Sequence, residues 1–358
     1  MAVKYLDIND LGYNPVFEQF RIDNGLNDFI VGRIVAEHKE RYTIRTADAE
    51  LEAEITGNLR FSASSRGDFP AVGDWVALTV YESDFGVIHK VFPRYSVISR
   101  QAVGHSGEIQ IIATNVDYAF LVQAVDRDFN INRLERYLTI CYSARVKPIV
   151  VLTKTDLVET ETLLQIKESV NQRVKNISLV AVSNATHDGL DGIIQLIEKG
   201  KTYCMLGSSG VGKSSLINNL RGENVMQTDA ISTSTGKGRH VTTHRELVVL
   251  ENGGILIDNP GMREVGVTDV FEGLATTFDS IFEYAKACRY QNCTHTTEAG
   301  CAVIDAVRDG HIDQKSYDNY LKMNKEKDFF ESSTSERRKR DKDFGKMLKN
   351  YKKGKTNY

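Results

Sequence analysis

The sequence predicts a multidomain chain: an N-terminal β-barrel of the OB-fold type, a central α/β domain, and a C-terminal, mostly helical region. Short β-rich runs separated by turns fill the first part of the chain, and apolar strands then alternate with amphipathic helices. A cluster of cysteines and a histidine follows the last strand. The predicted segments are a leader at 1–28, the barrel at 29–104, the α/β domain at 105–270 and the helical region at 271–358.

The barrel prediction rests on short runs of β-forming residues at regular spacing, which is typical of small closed barrels. Polar turn clusters such as 56–58 and 65–68 separate these runs. We expect the leader to pack on the barrel as a short helix, and Trp75, the only tryptophan, to lie in the core. The runs are 30–35, 42–46, 51–55, 74–80 and 86–91.

The α/β prediction rests on continuous apolar runs, because strands that are buried on both faces lose the alternating pattern. We therefore expect a parallel sheet with helices on both of its faces. Helices are predicted at 131–143, 162–170 and 213–220. The predicted strands are 116–122, 148–152, 179–182, 202–206, 247–250 and 254–257.

Composition limits the class of protein. The chain has 358 residues, of which 41% are hydrophobic, so it can build more than one packed core. It contains no apolar run long enough to span a bilayer and no N-terminal signal pattern, so we expect a cytoplasmic protein with no membrane partner. Five cysteines, an odd number, fit a reducing compartment better than a disulfide framework.

A glycine-rich motif, G-x-x-x-x-G-K-S, lies between a predicted strand and a predicted helix, which is the context that a phosphate-binding loop requires. Glycines let the backbone amides point inward at phosphate groups. We expect Lys213 to reach the β- and γ-phosphates and to take part in catalysis, and Ser214 to bind Mg²⁺. The residues assigned to the nucleotide here are Gly207, Ser208, Ser209, Gly210, Val211, Gly212, Lys213, Ser214 and Ser215.

Two further segments are predicted to lie near the γ-phosphate and its Mg²⁺ ion. Asp258 ends an apolar strand and opens D-x-P-G, so it is placed to hold Mg²⁺, and the amide of Gly261 can approach the phosphate. The polar loop 235–243 can close over the nucleotide as a switch, with Thr242 as the Mg²⁺-binding residue and Thr243 as the alternative.

A guanine-reading motif is predicted at the end of the strand 148–152. Thr153, Lys154 and Asp156 resemble N-K-x-D, in which the aspartate accepts two hydrogen bonds from guanine and the lysine stem covers the base. Alone, the pattern also fits a helix N-cap. Thr153 stands in place of the usual asparagine, which puts in question a side-chain tie to the phosphate loop. Ser183 and Asn184 end the next strand, where a loop backing the guanine is expected.

The order of these motifs is diagnostic. In ordinary small GTPases the phosphate loop comes first, whereas in this chain the guanine-reading motif precedes it. The same site can still form, because a permutation only moves the chain ends to another loop. We therefore predict a circularly permuted GTPase domain that binds GTP, GDP and Mg²⁺.

Three cysteines and a histidine form the spacing C-x₄-C-x-H-x₅-C: Cys288, Cys293, His295 and Cys301. Zn²⁺ prefers four such ligands in a tetrahedron, and a Cys₃His set leaves no open position. The pattern predicts one structural zinc ion, with buried or free cysteines as the alternative.

Taken together, these motifs resemble the bacterial ribosome small subunit-dependent GTPase A family over nearly the whole chain. The resemblance implies an N-terminal OB-fold, a permuted GTPase and a zinc-binding domain. It also implies a role in late maturation of the small ribosomal subunit, with that subunit and its 16S rRNA as partners and as stimulators of hydrolysis. We expect a monomer and no DNA partner.

The resemblance also bears on catalysis. Met262 occupies the place of the water-orienting glutamine of Ras-like enzymes, so intrinsic turnover should be slow. By resemblance the histidine of the G-R-H segment, His240, is the candidate for that role; an alternative is that it contacts rRNA or caps its loop. Val241 interrupts the more usual run of threonines, which leaves Thr242 as the family-equivalent residue.

RNA contact is expected from the barrel or from the basic tail at 336–358, although a solvated tail without a partner fits the same composition. Tyr42, Arg60, Phe61, Arg66 and Trp75 are the barrel candidates. Two rival functions stay open: an RNA-binding module gated by GTP, and a P-loop ATPase or kinase, against which Asp156 argues.

Overall fold

The structure is a computed structural model that describes residues 7–38, 41–81, 84–101, 109–126, 129–222, 246–258 and 271–331. The chain divides into two compact units, Met1–Gly266 and Val267–Tyr358. The first unit contains the barrel and the α/β domain, and the second contains the C-terminal helices. The three boundaries between the four predicted segments stay predictions.

The N-terminal strands close into a five-stranded barrel. Strand β1 pairs antiparallel with both β2 and β4, β3 pairs with β2 and, in parallel, with β5, and β5 returns to β4. This order is that of an OB-fold, as predicted. The elements are α1 (Pro15–Asp23), β1 (Ile30–His38), β2 (Arg41–Arg45), β3 (Glu50–Ile55), α2 (Gly57–Ser62), β4 (Trp75–Tyr81) and β5 (Phe85–Val91).

The leader packs against the barrel through aromatic rings. Asn14 caps the start of helix α1: its side chain accepts hydrogen bonds from the amides of Val16 and Phe17, and a proline occupies the first turn of the helix. The ring centroid of Phe17 lies 5.8 Å from that of Trp75, and the Tyr13 ring lies 5.0 Å away at a steep angle. Trp75 is fully buried, as expected for a core residue.

A buried arginine joins the leader, the barrel and the α/β domain. Arg33, only 1% exposed, donates hydrogen bonds to the carbonyl oxygens of Leu11 (2.6 Å), Gly73 (3.2 Å) and Asn115 (3.2 Å). It also donates to the hydroxyl of Thr202 at 2.9 Å. Burial lowers the pKa of Arg33 to about 10, so the guanidinium is charged at neutral pH. These contacts hold the barrel to the base of the strand that begins at Thr202.

The sequence pattern missed a hairpin between the two domains. Strands β6 (Val97–Gln101) and β7 (Ile109–Thr114) pair antiparallel in a two-stranded sheet of their own. The predicted boundary at 104/105 falls between these two strands. A domain boundary at that point would therefore divide the hairpin.

The α/β domain has the strand order β10-β9-β8-β11-β13-β12, and its first five strands are parallel. The expectation of a parallel sheet holds for these five strands but not for β12, which runs antiparallel to β13 and also pairs with β1 of the barrel. The elements are β8 (Tyr118–Ala124), α3 (Ile131–Ser143), β9 (Lys147–Thr153), α4 (Thr160–Arg173), β10 (Ser178–Ala181), α5 (Leu190–Gln195), β11 (Thr202–Leu206), α6 (Lys213–Arg221), β12 (Glu246–Val249) and β13 (Ile255–Asp258).

This sheet is buried on both faces. Along β8, Ala119 and Leu121 belong to one apolar cluster, whereas Phe120 and Val122 belong to the other. Alternate side chains of one strand therefore enter two separate cores, which explains the continuous apolar runs in the sequence.

The second unit is helical, as predicted. Its described elements are α7 (Phe271–Thr277), α8 (Asp279–Ala285), α9 (Ala302–Arg308) and α10 (Gln314–Glu331). Phe278, Ile281, Val303 and Met323 form part of its own apolar core. Over the part of the chain that the structure describes, no helix combines the length and the apolar character needed to cross a membrane.

Candidate nucleotide site and metal centre

The glycine-rich loop connects β11 to α6 at the edge where the parallel strands end. A side chain at Gly207 would collide with the carbonyl oxygen of Val122 on the neighbouring strand, so only glycine fits there. Gly212 has a φ of +93°, a conformation that other residues adopt at a cost. The sequence motif thus has the strand–loop–helix setting of a phosphate site.

Lys213, the first residue of α6, folds back over this loop. Its ammonium donates to the carbonyl oxygens of Gly207 at 2.6 Å and Ser208 at 2.5 Å. The positive charge therefore lies at the loop itself. Ser214 follows in the first turn of the helix and is exposed. Together they offer an ammonium donor and a hydroxyl ligand beside the phosphate-binding backbone.

The residues predicted to read guanine lie at the ends of β9 and β10, at the same edge of the sheet. The hydroxyl of Ser183 donates to Oδ1 of Asp156 at 2.6 Å and accepts the amides of Ala185 and Thr186. This fixes one oxygen of an otherwise exposed carboxylate. Lys154 has a left-handed backbone, with φ of 60°, and its ammonium lies 2.9 Å from Oδ2 of Asp126.

The side chain of Thr153 makes the hydrogen bond to the phosphate loop that was in question because a threonine stands in place of asparagine. Its side chain is fully buried, and its hydroxyl donates to the carbonyl oxygen of Val211 at 2.5 Å. A second acceptor, the carbonyl of Gln123, lies 3.3 Å away. The strand that precedes the guanine-reading motif is therefore bonded directly to the phosphate loop.

Two contacts of this region were not predicted from the sequence. Asn184 donates through Nδ2 to the carbonyl oxygen of Gly212 at 3.0 Å, and Asp126 pairs with Lys154. The sequence offered one weak signal: Asn184 directly follows Ser183, and both belong to the loop expected to back the guanine. The pattern held no signal for Asp126.

Asp258 is the last residue of β13 and lies opposite Glu246 on β12. Burial raises the pKa of Asp258, Arg221 opposes the shift, and Glu246 adds to it. Arg221 itself lies 3.6 Å from Glu246. The charge of Lys213 also opposes the rise. A partly buried carboxylate has the chemistry of a Mg²⁺ ligand, because a bound cation would offset the cost of its burial.

Several predicted site residues lie outside the described residues. They are the switch candidates His240 and Thr242, and Gly261 with its neighbour Met262. Their roles stay predictions, as do the nucleotide-binding roles of the described residues.

In the second unit the predicted metal ligands come together. The ligand atoms of Cys288, Cys293, His295 and Cys301 all lie within 4.8 Å of one another. The sulfurs of Cys288 and Cys301 are 3.9 Å apart, and Nδ1 of His295 lies 3.6 Å and 3.5 Å from them. Tetrahedral zinc with Zn–S bonds of about 2.3 Å places its sulfurs about 3.8 Å apart, so the set fits zinc.

The loop that carries these ligands is braced by its own hydrogen bonds. The carboxylate of Glu298 accepts the amides of Thr294 (2.9 Å), Thr296 (3.0 Å) and Thr297 (3.1 Å). The hydroxyl of Tyr317, on α10, donates to the carbonyl oxygen of His295. Burial lowers the pKa of His295, which favours the neutral imidazole that a metal ion requires.

The fold and the loops define the class: a P-loop GTPase whose guanine-reading strand precedes its phosphate loop. Residues 91–268 match the family model described as RsgA GTPase. A protein from Bacteroides thetaiotaomicron, "Small ribosomal subunit biogenesis GTPase RsgA 1", is 38% identical over 344 residues, which cover 96% of both chains. "Small ribosomal subunit biogenesis GTPase RsgA 2" from Lactiplantibacillus plantarum is 41% identical, covering 84% of both. The chain belongs to the RsgA GTPase family.

Solved structures agree on the fold. YjeQ from Thermotoga maritima superposes with a TM-score of 0.60 at 23% identity, covering 82% of this chain and 96% of that one. YloQ, described as a circularly permuted GTPase, superposes with a TM-score of 0.61 at 25% identity, covering 84% and 96%. The circular permutation of the GTPase domain, predicted from the order of its motifs, is therefore confirmed.

Proposed function

We propose that this protein binds and hydrolyses GTP in the maturation of the small ribosomal subunit. The observation that carries the nucleotide assignment is the 2.5 Å hydrogen bond from Thr153 to the carbonyl oxygen of Val211. It joins the guanine-reading motif to the phosphate loop, although 58 positions separate the two residues in the chain. The names of its relatives support the ribosomal role.

Different described residues are proposed to bind the base and the phosphates of the nucleotide. Asp156, with one oxygen bound by Ser183, would accept hydrogen bonds from the guanine edge, and the stem of Lys154 would cover the base. The amides of the loop 207–212 would bind the phosphates. The Lys213 ammonium would exchange its two carbonyl acceptors for the β- and γ-phosphates.

Magnesium would be held by Ser214 and Asp258, with Thr242 added from the switch loop. When bound, Mg²⁺ neutralises charge that develops on the phosphate oxygens. Within the chain, His240 is our candidate to orient the attacking water, since Met262 follows D-x-P-G where a glutamine would do so. The cluster of Cys288, Cys293, His295 and Cys301 would hold one structural zinc ion.

Three of the five barrel candidates, Arg60, Phe61 and Arg66, are exposed to solvent. Tyr42 and Trp75 are buried, whereas Phe61 is 92% exposed on α2, and Arg66 is exposed on the following turn. Arg94 anchors this segment by donating to the carbonyl oxygens of Gly67 and Phe69. An exposed ring on α2 and an exposed cation on the turn that follows it suit the stacking of an unpaired base and the binding of its backbone. We propose that this segment contacts the 16S rRNA, and that the protein acts in the cytoplasm.

Hydrolysis by the purified protein, alone and with purified small ribosomal subunits, tests the proposal. We expect slow turnover alone and strong stimulation by the small subunit, with GTP and not with ATP. Large subunits serve as the matched control. Equal rates with both subunits, or with ATP, would contradict the assignment of partner or substrate.

A further inference from the structure

A second side chain besides Thr153 bonds the phosphate loop. Nδ2 of Asn184 donates to the carbonyl oxygen of Gly212 at 3.0 Å, while Thr153 donates to that of Val211. The two acceptors are consecutive along the loop. Thr153 is the last residue of β9 and Asn184 follows β10, so both predicted base-reading segments are bonded to the phosphate loop.

The chemistry of Thr153 explains why a second donor is needed. A hydroxyl carries one proton, whereas the amide of an asparagine carries two. The single proton of Thr153 is directed to Val211, whose carbonyl is closer than that of Gln123. Thr153 therefore has no further proton for Gly212, and the amide of Asn184 supplies one.

Asn184 is itself held by a side chain of α6, the helix that follows the phosphate loop. Nδ2 of Asn219, on α6, lies 3.2 Å from the carbonyl oxygen of Asn184 and 3.4 Å from its Oδ1. A Cβ at Gly212 would lie 2.7 Å from Nδ2 of Asn184, so the backbone approaches this amide as closely as a glycine allows. The contact is thus fixed by packing and by hydrogen bonds.

The hydrogen bonds from Thr153 and Asn184 set the direction in which the amides of the phosphate loop point. In a trans peptide the carbonyl of one residue points opposite to the N–H of the next. Holding the carbonyls of Val211 and Gly212 toward the base-reading loops turns the amides of Gly212 and Lys213 the other way. Those are amides that a phosphate-binding loop directs at its ligand.

We propose that Asn184 is a positioning residue. It supplies the hydrogen bond to the carbonyl oxygen of Gly212, for which Thr153, standing in place of asparagine, has no second proton. It preorganises the loop for the phosphates and slows the release of the nucleotide. The inference rests on the proposed guanine-nucleotide site.

The test is the dissociation rate of a fluorescent GDP analogue from the full-length protein. We expect Asn184→Ala to raise this rate about five- to tenfold, which is the loss of about one hydrogen bond. Asn171→Ala, at an exposed position of α4, is the matched control and should leave the rate unchanged. An Asn184→Ala rate equal to that of the wild type overturns the inference. Failure of the wild type to bind GDP refutes instead the proposed function and the inference that depends on it.

Rescue separates positioning from a general structural role. Adding Thr153→Asn to Asn184→Ala should return the dissociation rate to within about twofold of the wild type, because the amide then offers both donors. A folded double variant without rescue overturns the inference. If that variant does not fold, the nearly isosteric Thr153→Val decides. The double variant Thr153→Val/Asn184→Ala must raise the dissociation rate by more than the product of the factors found for the two single variants. An increase equal to that product or smaller overturns the inference.

Discussion

The nucleotide site and the Cys/His cluster are assembled in opposite ways. The described residues of the nucleotide site extend from Thr153 to Asp258 along the chain, and direct side-chain hydrogen bonds hold their loops together. The cluster lies between Cys288 and Cys301, and its ligand atoms face mainly one another. A site of distant segments is therefore organised by the fold, whereas we expect the local cluster to depend on a metal ion to hold its four ligands together.

This difference has a physical basis. Hydrogen bonds to backbone carbonyls, such as that from Thr153 to Val211, form as the chain folds and need no ligand. Three thiols and an imidazole at close range gain little from one another without a cation. The two sites should therefore respond differently when a single participating side chain is removed.

The largest expected effect tests the cluster. Cys293→Ser removes one of the four predicted ligands, and structural zinc sites contribute about 10 kcal/mol or more of apparent folding free energy. We expect zinc to fall from about one ion per chain to near zero in elemental analysis, and the helices of the second unit to become protease-sensitive. GDP affinity should stay within about twofold of the wild type, since the described nucleotide residues lie in the first unit.

Cys141→Ala is the control for this experiment, because Cys141 is a fully buried thiol of the α/β core. It should keep the zinc content of the wild type. A wild-type protein that is free of metal and fully folded would remove the contrast between the two sites.

A smaller effect is expected at the phosphate loop. Lys213→Ala removes the ammonium but leaves the side-chain hydrogen bonds to Val211 and Gly212 in place. The loop should keep its shape, so the thermal midpoint should change little. We expect the hydrolysis rate to fall about 10²- to 10³-fold, as for other donors that stabilise developing charge.

Lys175→Ala, at an exposed position after α4, is the matched control for the loss of a positive charge. Hydrolysis at the wild-type rate by the Lys213→Ala protein would contradict the role of this lysine. Global unfolding of that variant would contradict the claim that hydrogen bonds to the loop carbonyls organise the site.

The sequence predicted the elements whose signals are local. Apolar runs located the strands of the barrel and of the α/β sheet, and turn clusters separated them. The hairpin of β6 and β7 was missed because its strands lie where the β-rich pattern of the barrel gives way to the strand–helix alternation that begins near Asn115. The antiparallel direction of β12 was also missed, since periodicity carries no information on strand direction.

The site shows the same division. The motifs that contain Gly207, Lys213 and Asp156 were recognised because fixed spacing within a short segment encodes them. The contacts of Asn184 with Gly212 and of Asp126 with Lys154 each span 28 positions. No local pattern specifies which side chain reaches which carbonyl or cation across such a distance, so these partners required the fold.

The most direct test of the central claim is the nucleotide preference of Asp156→Asn. The amide would place donors against the donor edge of guanine, whereas the C2 carbonyl of xanthine can accept a hydrogen bond from it. We predict that GTP affinity falls by at least about 10²-fold and that binding of XTP rises, while Asp191→Asn, at an exposed position of α5, behaves as the wild type. Unchanged GTP affinity in Asp156→Asn would contradict the assignment of this site to guanine.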